Sequence, residues 1–495
     1  MVEKFFWADK IADEIIKLND KKEYVCASGI TPSGTIHIGN FREVITTDLV
    51  VKALQDKGKK VRFIYSWDDY DRFRKVPTNV PKNYEKYIGF PLSKFPHPSN
   101  KKISYAEYFE KEFESSLEKL GIKPEFIRQS IMNENCKYSS LIKTSLDKKD
   151  EIKKILNKYR KEPLGKDWYP FVVYCEKCNK DSTKIIYAED YNIEYSCKCG
   201  FQNKIDYRKK GIVKLKWRVD WPGRWKYENV DFEPGGIDHS ASGGSFDTSK
   251  IIVKKIFDHK APKYTFYEWV RIKGGKEFSS SSGNAVSLAE VESVYEPEVL
   301  RYIFVGTRPN KGFQISFDND IIKIYEEYDD LEHRYFEKLV DPQEKRIYEL
   351  SQIKIPKKKP NRENFRHLIT LVQTGKENEL NSLSKKRAEK VKNWLKNYAG
   401  EDMGFEVQDE IKIDLTDPQK EALILLKESL ATKEFNEEEL FNEFYNICEN
   451  IGIKHKDFFQ TAYRVIINKT KGPRLAGLIL VIGQKNVVDL LEKIK

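Results

Sequence analysis

The chain has 495 residues, 39% hydrophobic and 33% charged, and 88 Lys and Arg against 77 Asp and Glu give a net charge of +11. That length suits about three domains with sizeable apolar cores, and no apolar run approaches the roughly 18 residues of a membrane span. The nearest, Gly477–Gly483, has the length of a buried helix, and the start MVEKFFWADKIADEIIKLND carries acidic residues and helical spacing at Ile11, Ile15 and Leu18, unlike a cleavable signal. The reading is therefore cytoplasmic, neither secreted nor membrane-bound, with a positive surplus that attracts polyanions without choosing among them.

In chain order, EYVCASGI (Glu23–Ile30) reads as a buried strand, TPSGT as a turn, and HIGNFREVITTDLVVKALQDKG as a helix. That helix turns Ile38, Val44, Ile45, Leu49, Val50 and Leu54 one way and stops at Gly58. KKVRFIYSWDD returns as a second strand. Such a βαβ unit predicts a parallel sheet with a right-handed crossover, and ligands sit outside the carboxyl ends of its strands, where Gly29–Asn40 and Trp67–Arg74 fall. Residues near 75–215 read as an insertion, Pro-rich at Pro77, Pro81, Pro91, Pro96 and Pro98, then helical, then cysteine-bearing. The core resumes at KLKWRVDWPGRWKYENVDFEPGGIDHSASGG. Beyond Asn284 helical patterns dominate, with Pro356–Pro360 as a linker and Asp409–Pro418 as an inter-helix loop.

Two strings carry chemistry. In Thr31–Asn40, Gly34 and Gly39 clear space where a phosphate or base approaches the backbone, and the following helix offers its positive end. His37 is expected on the first helical turn, facing the crevice, where a donor stabilises charge growing on phosphorus. The same residues also read as a plain Gly-rich turn with a capping histidine. Cys175-Glu-Lys-Cys178 and Cys197-Lys-Cys199, with an 18-residue gap between them, read as two knuckles closing on one structural zinc. With seven cysteines, four of them clustered, metal ligation in a reducing compartment is expected rather than disulfides; Cys26, Cys136 and Cys448 read as packing residues.

PSGTIHIGN resembles the HIGH signature of class I aminoacyl-tRNA synthetases, with His37 at the first His and Asn40 replacing the last. SWDDYDRFRKVP (Ser66–Pro77), YIGFPLSKFPHP (Tyr87–Pro98), WRVDWPGRW (Trp217–Trp225), DFEPGGIDHSASGGSFD (Asp231–Asp247), YEWVRIKGG (Tyr267–Gly275) and GPRLAG (Gly472–Gly477) resemble the archaeal-type class I lysyl-tRNA synthetases, which are related in fold to glutamyl-tRNA synthetase. The resemblance implies an α/β, Rossmann-type parallel-sheet catalytic domain over 1–285 with a zinc-bearing insertion near 75–215 that approaches the tRNA acceptor end. It implies an all-α stem-contact bundle over 286–345 and an α-helix-cage anticodon-binding domain over 346–495.

The implied activity joins L-lysine to ATP, releases pyrophosphate, and passes lysine to the 3′-terminal adenosine of tRNA(Lys). His37 and Asn40 stand at the catalytic positions. Pro32, Gly34, His37, Gly39, Asn40, Lys276, Ser279 and Ser281 stand on the side of ATP and its Mg²⁺. Gly29, Thr31, Asp68, Trp221, His239 and Tyr267 are the lysine-side positions, with Asp68 for the α-amino group, Gly29 and Thr31 leaving room for the aliphatic stem, and aromatic rings as walls. Asp69, Asp71 and Arg72 read instead as a structural salt-bridge or capping cluster. Cys175, Cys178, Cys197 and Cys199 hold Zn²⁺. Arg301, Arg308 and Lys311 are candidates for RNA phosphates, and aromatic residues near Phe458–Tyr463 with Arg474 for stacking on bases.

One departure stands out. In RIKGGKEFSSSSGNAVS (Arg271–Ser287), Glu277 and Phe278 replace the Lys and Met of the family's KMSKS loop. A carboxylate beside a triphosphate repels it by roughly 1 to 4 kcal/mol at 4 Å, so activity with an altered ATP dependence is expected. Two further readings are a sister glutamyl or arginyl specificity, and a tRNA-binding relative whose altered loop has lost catalysis.

Overall fold

The computed structural model describes residues 6–274 and 286–494. They divide into two compact units, Met1–Glu292 with Pro297–Ile315 and Val340–Ile355, and Ser293–Glu296 with Ser316–Leu339 and Pro356–Lys495.

The first unit is built on five parallel strands: β1 (Glu23–Ile30), β2 (Lys60–Trp67), β3 (Glu125–Arg128), β4 (Phe232–Gly236) and β5 (Lys263–Tyr267), in the order β5-β4-β1-β2-β3. The predicted βαβ unit is present, β1 and β2 pairing from Glu23↔Lys60 to Ile30↔Trp67 across α1 (Ile38–Asp56). Strand order reverses at β1, which pairs β4 only at Cys26↔Phe232. Beyond that pair no register joins the two strands, and this switch point is the crevice where open α/β sheets bind ligands.

Helix α1 is not the one-faced helix its spacing predicts. Arg42, Thr46, Thr47 and Asp48 are buried with the apolar residues. The polar face is covered because it has partners: Arg42 donates to the carbonyl of Arg308 at 2.7 Å, and Asp48 pairs with Arg301 at 2.8 Å. Arg301 is fully buried and also donates to the Leu350 carbonyl, so it is a structural cation rather than a phosphate contact.

The stretch expected as an insertion also returns to the sheet. Helix α2 (Tyr105–Lys119) leads into β3, whose four residues EFIR are too few for a periodicity to be read. The cysteine-bearing part lies inside an antiparallel pair, Phe171–Val173 with Val213–Leu215, and holds a three-stranded antiparallel sheet of Thr183–Glu189, Asn192–Cys197 and Gln202–Asp206. Helix α3 (Trp217–Glu228) follows and carries the chain to β4.

The second unit is helical throughout its main body, including Ser382–Asn397, Asp417–Thr432, Glu437–Ile451, His455–Ile467 and Leu475–Ile482. Leu423, Leu426, Phe444, Phe458, Ile466 and Ile479 close its core. Phe458, expected near a base-stacking face, is one of these core residues, since helical spacing turns it inward. No described helix is long and apolar enough to cross a membrane.

Candidate active site

The first βα turn runs from Thr31 to His37. His37 caps α1 in an extended conformation, φ −89° and ψ 165°, one residue before the helix rather than on its first turn as expected. The cause is Asn40, whose Oδ1 accepts the backbone N–H of His37 at 3.1 Å, so the amide that replaces the last histidine of the signature acts as a capping group. Burial pushes the imidazole down to about 4, leaving it neutral near pH 7. A Cβ on Gly39 would lie 2.8 Å from His37 Nδ1, so the glycine is required by the ring's position. Pro32 and Gly34 are buried in the turn.

The chain that leaves at Gly274 returns at Val286–Ser287 beside this histidine. The Val286 carbonyl accepts from Ile38 N–H at 3.0 Å, and Ser287 bridges to His37. Lys276, Glu277, Phe278, Ser279 and Ser281 lie outside the described residues.

The expected lysine side differs in detail. Gly29 does not clear space for substrate: a Cβ there would meet the Ser66 carbonyl of β2 at 2.6 Å, so its bare Cα serves strand packing. The Thr31 hydroxyl donates to Asp71 at 3.2 Å. Asp68 is buried and already carries a cation, Arg224 NH1 at 2.6 Å from Oδ1. Lys214 lies 2.9 Å from Asp71 and 3.1 Å from Asp220, and Arg224 Nε is 3.6 Å from Asp220. Burial opposes the charge on Arg224, but Asp68 and Asp220 outweigh it and hold the guanidinium above its ordinary value. Asp220, Asp71 and Asp68 do the same for Lys214. Burial pushes the Asp68 carboxyl above its ordinary value, against the pull of Arg224, whose guanidinium lies at contact distance. Asp69 accepts from the backbone and hydroxyl of Ser130, and Arg72 pairs with Asp181 at 3.2 Å. Of the three, only Asp71 shares the ion-pair cluster with Asp68; Asp69 caps the start of the helix Gln129–Glu134, and Arg72 pairs separately with Asp181.

Trp221 is buried, stacked on Trp217 at 5.1 Å and beside Trp225 at 4.8 Å, with the His239 ring 6.0 Å away. Its ring belongs to a core cluster with Val25, Ile64 and Val253, while His239 is half-buried at the end of β4. Tyr267, at the end of β5, donates its hydroxyl to Glu43 Oε2 at 2.7 Å.

Glu43 was missed in the sequence. It lies on α1, three residues after Asn40, and also accepts from Gly29 N–H at 2.9 Å and the Ser28 hydroxyl at 3.1 Å. All three donors are neutral, and among the described residues no cation lies within 4.0 Å of it. Burial pushes its carboxyl up to about 7, against the pull of Gly29 N–H and the Tyr267 hydroxyl. The signal was a carboxylate among apolar residues of a helix that leaves the signature turn.

The four cysteines converge. Cys175 Sγ lies 3.7 Å from Cys199 Sγ, Cys178 Sγ lies 3.6 Å from Cys197 Sγ, and all four are within 4.8 Å of one another. Four sulfurs about 2.3 Å from one tetrahedral zinc stand about 3.8 Å apart, so the donor set and its size fit that ion. Cys26 and Cys448 are buried as packing residues.

Residues 5–354 match the family model described as tRNA synthetases class I (K), and residues 398–495 match that of an anticodon binding domain. The chain is 46% identical to the lysine–tRNA ligase of Borreliella burgdorferi over 99% of this chain and 98% of that one. It is 40% identical to the lysine–tRNA ligase of Pyrococcus horikoshii over 98% of this chain and 99% of that one. The solved glutamate tRNA ligase of Elizabethkingia meningosepticum, 12% identical with a TM-score of 0.48, aligns over 96% of this chain and 100% of that one.

Proposed function

The chain belongs to the tRNA synthetases of class I (K), and from that premise we propose that its β1–β4 crevice activates L-lysine with ATP and charges tRNA(Lys) with it. Lysine–tRNA ligase activity is favoured over a sister specificity and over a relative without catalysis, because the match to lysine–tRNA ligases runs the whole length of both chains. Class I synthetases use ATP and Mg²⁺, and the bound metal neutralises charge on the phosphates.

The observation that carries this reading is the neutral His37 at the mouth of α1, with Val286 and Ser287, where the chain returns from the signature loop, set beside it. Activation brings a substrate carboxylate to an α-phosphorus, two anions meeting, so the chain's work is to orient and to stabilise developing charge. His37 faces the phosphates as an uncharged donor and the amides that open α1 add their positive end. Asn40 fixes where that histidine sits. Lys276, Ser279 and Ser281 are assigned to the triphosphate from the resemblance.

On the lysine side, Glu43 takes one ammonium of the substrate, since it is a carboxylate with no cation of its own, and Tyr267 fixes its orientation. Asp68 and Asp71, whose charges Arg224 and Lys214 already meet, shape the floor of the site with Thr31 at its edge, and His239 walls the aliphatic stem with the buried Trp221 packed behind it. The four cysteines hold a structural zinc that shapes the insertion, the segments from 286 onward grip the tRNA stem and anticodon, and the chain works in the cytoplasm.

Pyrophosphate exchange across a panel of amino acids, followed by charging of tRNA, tests the assignment. Lysine alone is expected to support exchange, and His37→Ala to reduce it by roughly 10²–10³, the cost of one donor to developing oxyanion charge. Exchange with glutamate or arginine, or none at saturating ATP, refutes it. Zinc removal is expected to lower tRNA charging more than tRNA-free exchange, and equal losses would separate the cysteine module from the acceptor end.

A further inference from the structure

Helix α2 flanks the crevice, and one of its faces touches both segments that meet at His37. Tyr105, Phe109, Glu112 and Ser116 fall at i, i+4, i+7 and i+11, a single stripe about 16 Å long at 1.5 Å per residue. Its first member reaches the signature turn, where the Tyr105 hydroxyl donates to the Ser33 carbonyl at 3.1 Å. The ring is fully buried, stacked on Phe95 at 5.0 Å and edge-on to Phe109 at 5.1 Å, contacts that a phenylalanine would make as well. What the hydroxyl adds is a tie to the turn that ends at His37.

The rest of the stripe holds the chain where it returns at Val286–Ser287. Glu112 accepts the Ser287 hydroxyl, and Ser287 is the residue that bridges to His37. The Ser116 hydroxyl donates to Glu292 Oε2 at 3.1 Å, both groups buried. Between these ties Ile36 of the turn, Phe109 and Phe113 of α2, and Leu288 meet in a seam with no room for a water. The opposite face of α2 fixes it to the sheet. Arg128 of β3 pairs with Glu110 at 3.0 Å and Glu114 at 2.8 Å, and the Trp67 indole at the end of β2 donates to Glu114 at 2.8 Å. A helix so pinned transmits the rigidity of the sheet to both segments.

We propose that α2 is a strut that sets the spacing between the signature turn and the segment returning at Val286, with Tyr105 and Glu112 as positioning residues for ATP. The inference rests on the ligase reading, because the two segments need a fixed spacing only if His37 and the returning chain act on one nucleotide together. Each of the two side chains acts through the backbone carbonyl or hydroxyl that it holds.

Lysine-dependent pyrophosphate exchange on the full chain tests this with Tyr105→Phe, Glu112→Ala, Glu112→Gln and the double variant Tyr105→Phe, Glu112→Ala. A displacement of about 1 Å costs roughly 10²-fold in rate, and one lost tie allows less. Tyr105→Phe and Glu112→Ala are each expected to lower kcat about 10-fold and raise the KM for ATP about 5-fold, with the KM for lysine within about twofold. Glu112→Gln keeps an acceptor for the Ser287 hydroxyl and should stay within about twofold of wild type. Two ties that serve one spacing are not independent, so the double variant should lose about 20-fold in kcat rather than about 100-fold.

A plain loss of folded protein lowers the apparent kcat and leaves both KM values alone, so an unchanged KM for ATP overturns the inference. A KM for lysine that rises alongside, a Glu112→Gln variant as impaired as Glu112→Ala, or a double variant at about 100-fold overturns it as well. Absence of exchange in the wild-type protein counts against the ligase reading by itself. The spacing is then read from binding of a labelled, non-hydrolysable ATP analogue, which Tyr105→Phe and Glu112→Ala should each weaken about 5-fold. Unchanged binding overturns the inference.

Discussion

Two acids stand near the carboxyl ends of neighbouring strands and have opposite surroundings. Asp68, just beyond β2, lies in a buried chain of three carboxylates and two cations, and its own oxygen is 2.6 Å from a guanidinium. Glu43, beneath the end of β1, is held by a backbone amide and two hydroxyls, none of them charged. Burial without a cation raises a carboxyl, and Glu43 is driven up to about 7. An acid whose charge the protein has already neutralised gains little from a substrate ammonium. One whose charge it has left open gains a great deal. The motif match points to Asp68 as the lysine-reading acid, and the electrostatics point to Glu43.

The largest expected effect falls on the paired side and is one of stability. Asp68→Asn leaves Arg224 buried with Asp220, at 3.6 Å, as its one acid among the described residues and the Ser66 hydroxyl as a neutral acceptor. Breaking a buried pair by removing one partner costs about 3–5 kcal/mol, to be read from denaturant unfolding. A loss below about 1 kcal/mol would show that the cluster tolerates an open cation, and the contrast with Glu43 would collapse. Glu43→Gln comes next and acts on function. Truncating one partner of a desolvated charge pair costs about 2–4 kcal/mol, or roughly 30- to 10³-fold in kcat/KM for lysine, with KM for ATP unchanged and no loss of stability. If Asp68→Asn raised the KM for lysine while Glu43→Gln left it alone, the roles of the two acids would be exchanged.

What the sequence made legible follows from how far each feature depends on local pattern. The β1–α1–β2 unit was plain because a strand, a glycine turn and a helix follow one another within residues 23–67. The cysteine module was plain because its ligands come as two short knuckles whose spacing is itself the signal. β3 was hidden because a four-residue strand has no period, and its place comes from α2 carrying the chain back to the edge of β2. Gly29 was misread because its partner, Ser66, is 37 positions away, and nothing local tells a glycine that admits a ligand from one that admits a neighbouring strand. Glu43 was passed over for a similar reason. Its meaning depends on the absence of a cation and on Tyr267, 224 positions distant, and neither is visible before the strands are placed. Asn40 was found by its motif yet acts on the backbone of His37, a role that only the cap geometry exposes.

The smallest effect separates Glu43 from every other group in the crevice by pH. The ordinary glutamate value is 4.5 and the folded value about 7, so the folded chain holds a proton that the unfolded chain has released between those limits. The stability this lends is full below about pH 4.5 and is lost as pH rises through about 7. Lysine capture runs the other way, because an ammonium needs the carboxylate. The kcat/KM for lysine should climb about tenfold per unit below pH 7 and level off above it. His37 is neutral above about pH 4 and contributes nothing to that limb. Glu43→Gln should therefore flatten the limb while Asp68→Asn retains it, since Asp68 is already engaged by Arg224 at 2.6 Å and is not open to the substrate ammonium. A limb that survived in the glutamine variant would assign the titration to another group and leave Glu43 a packing acid.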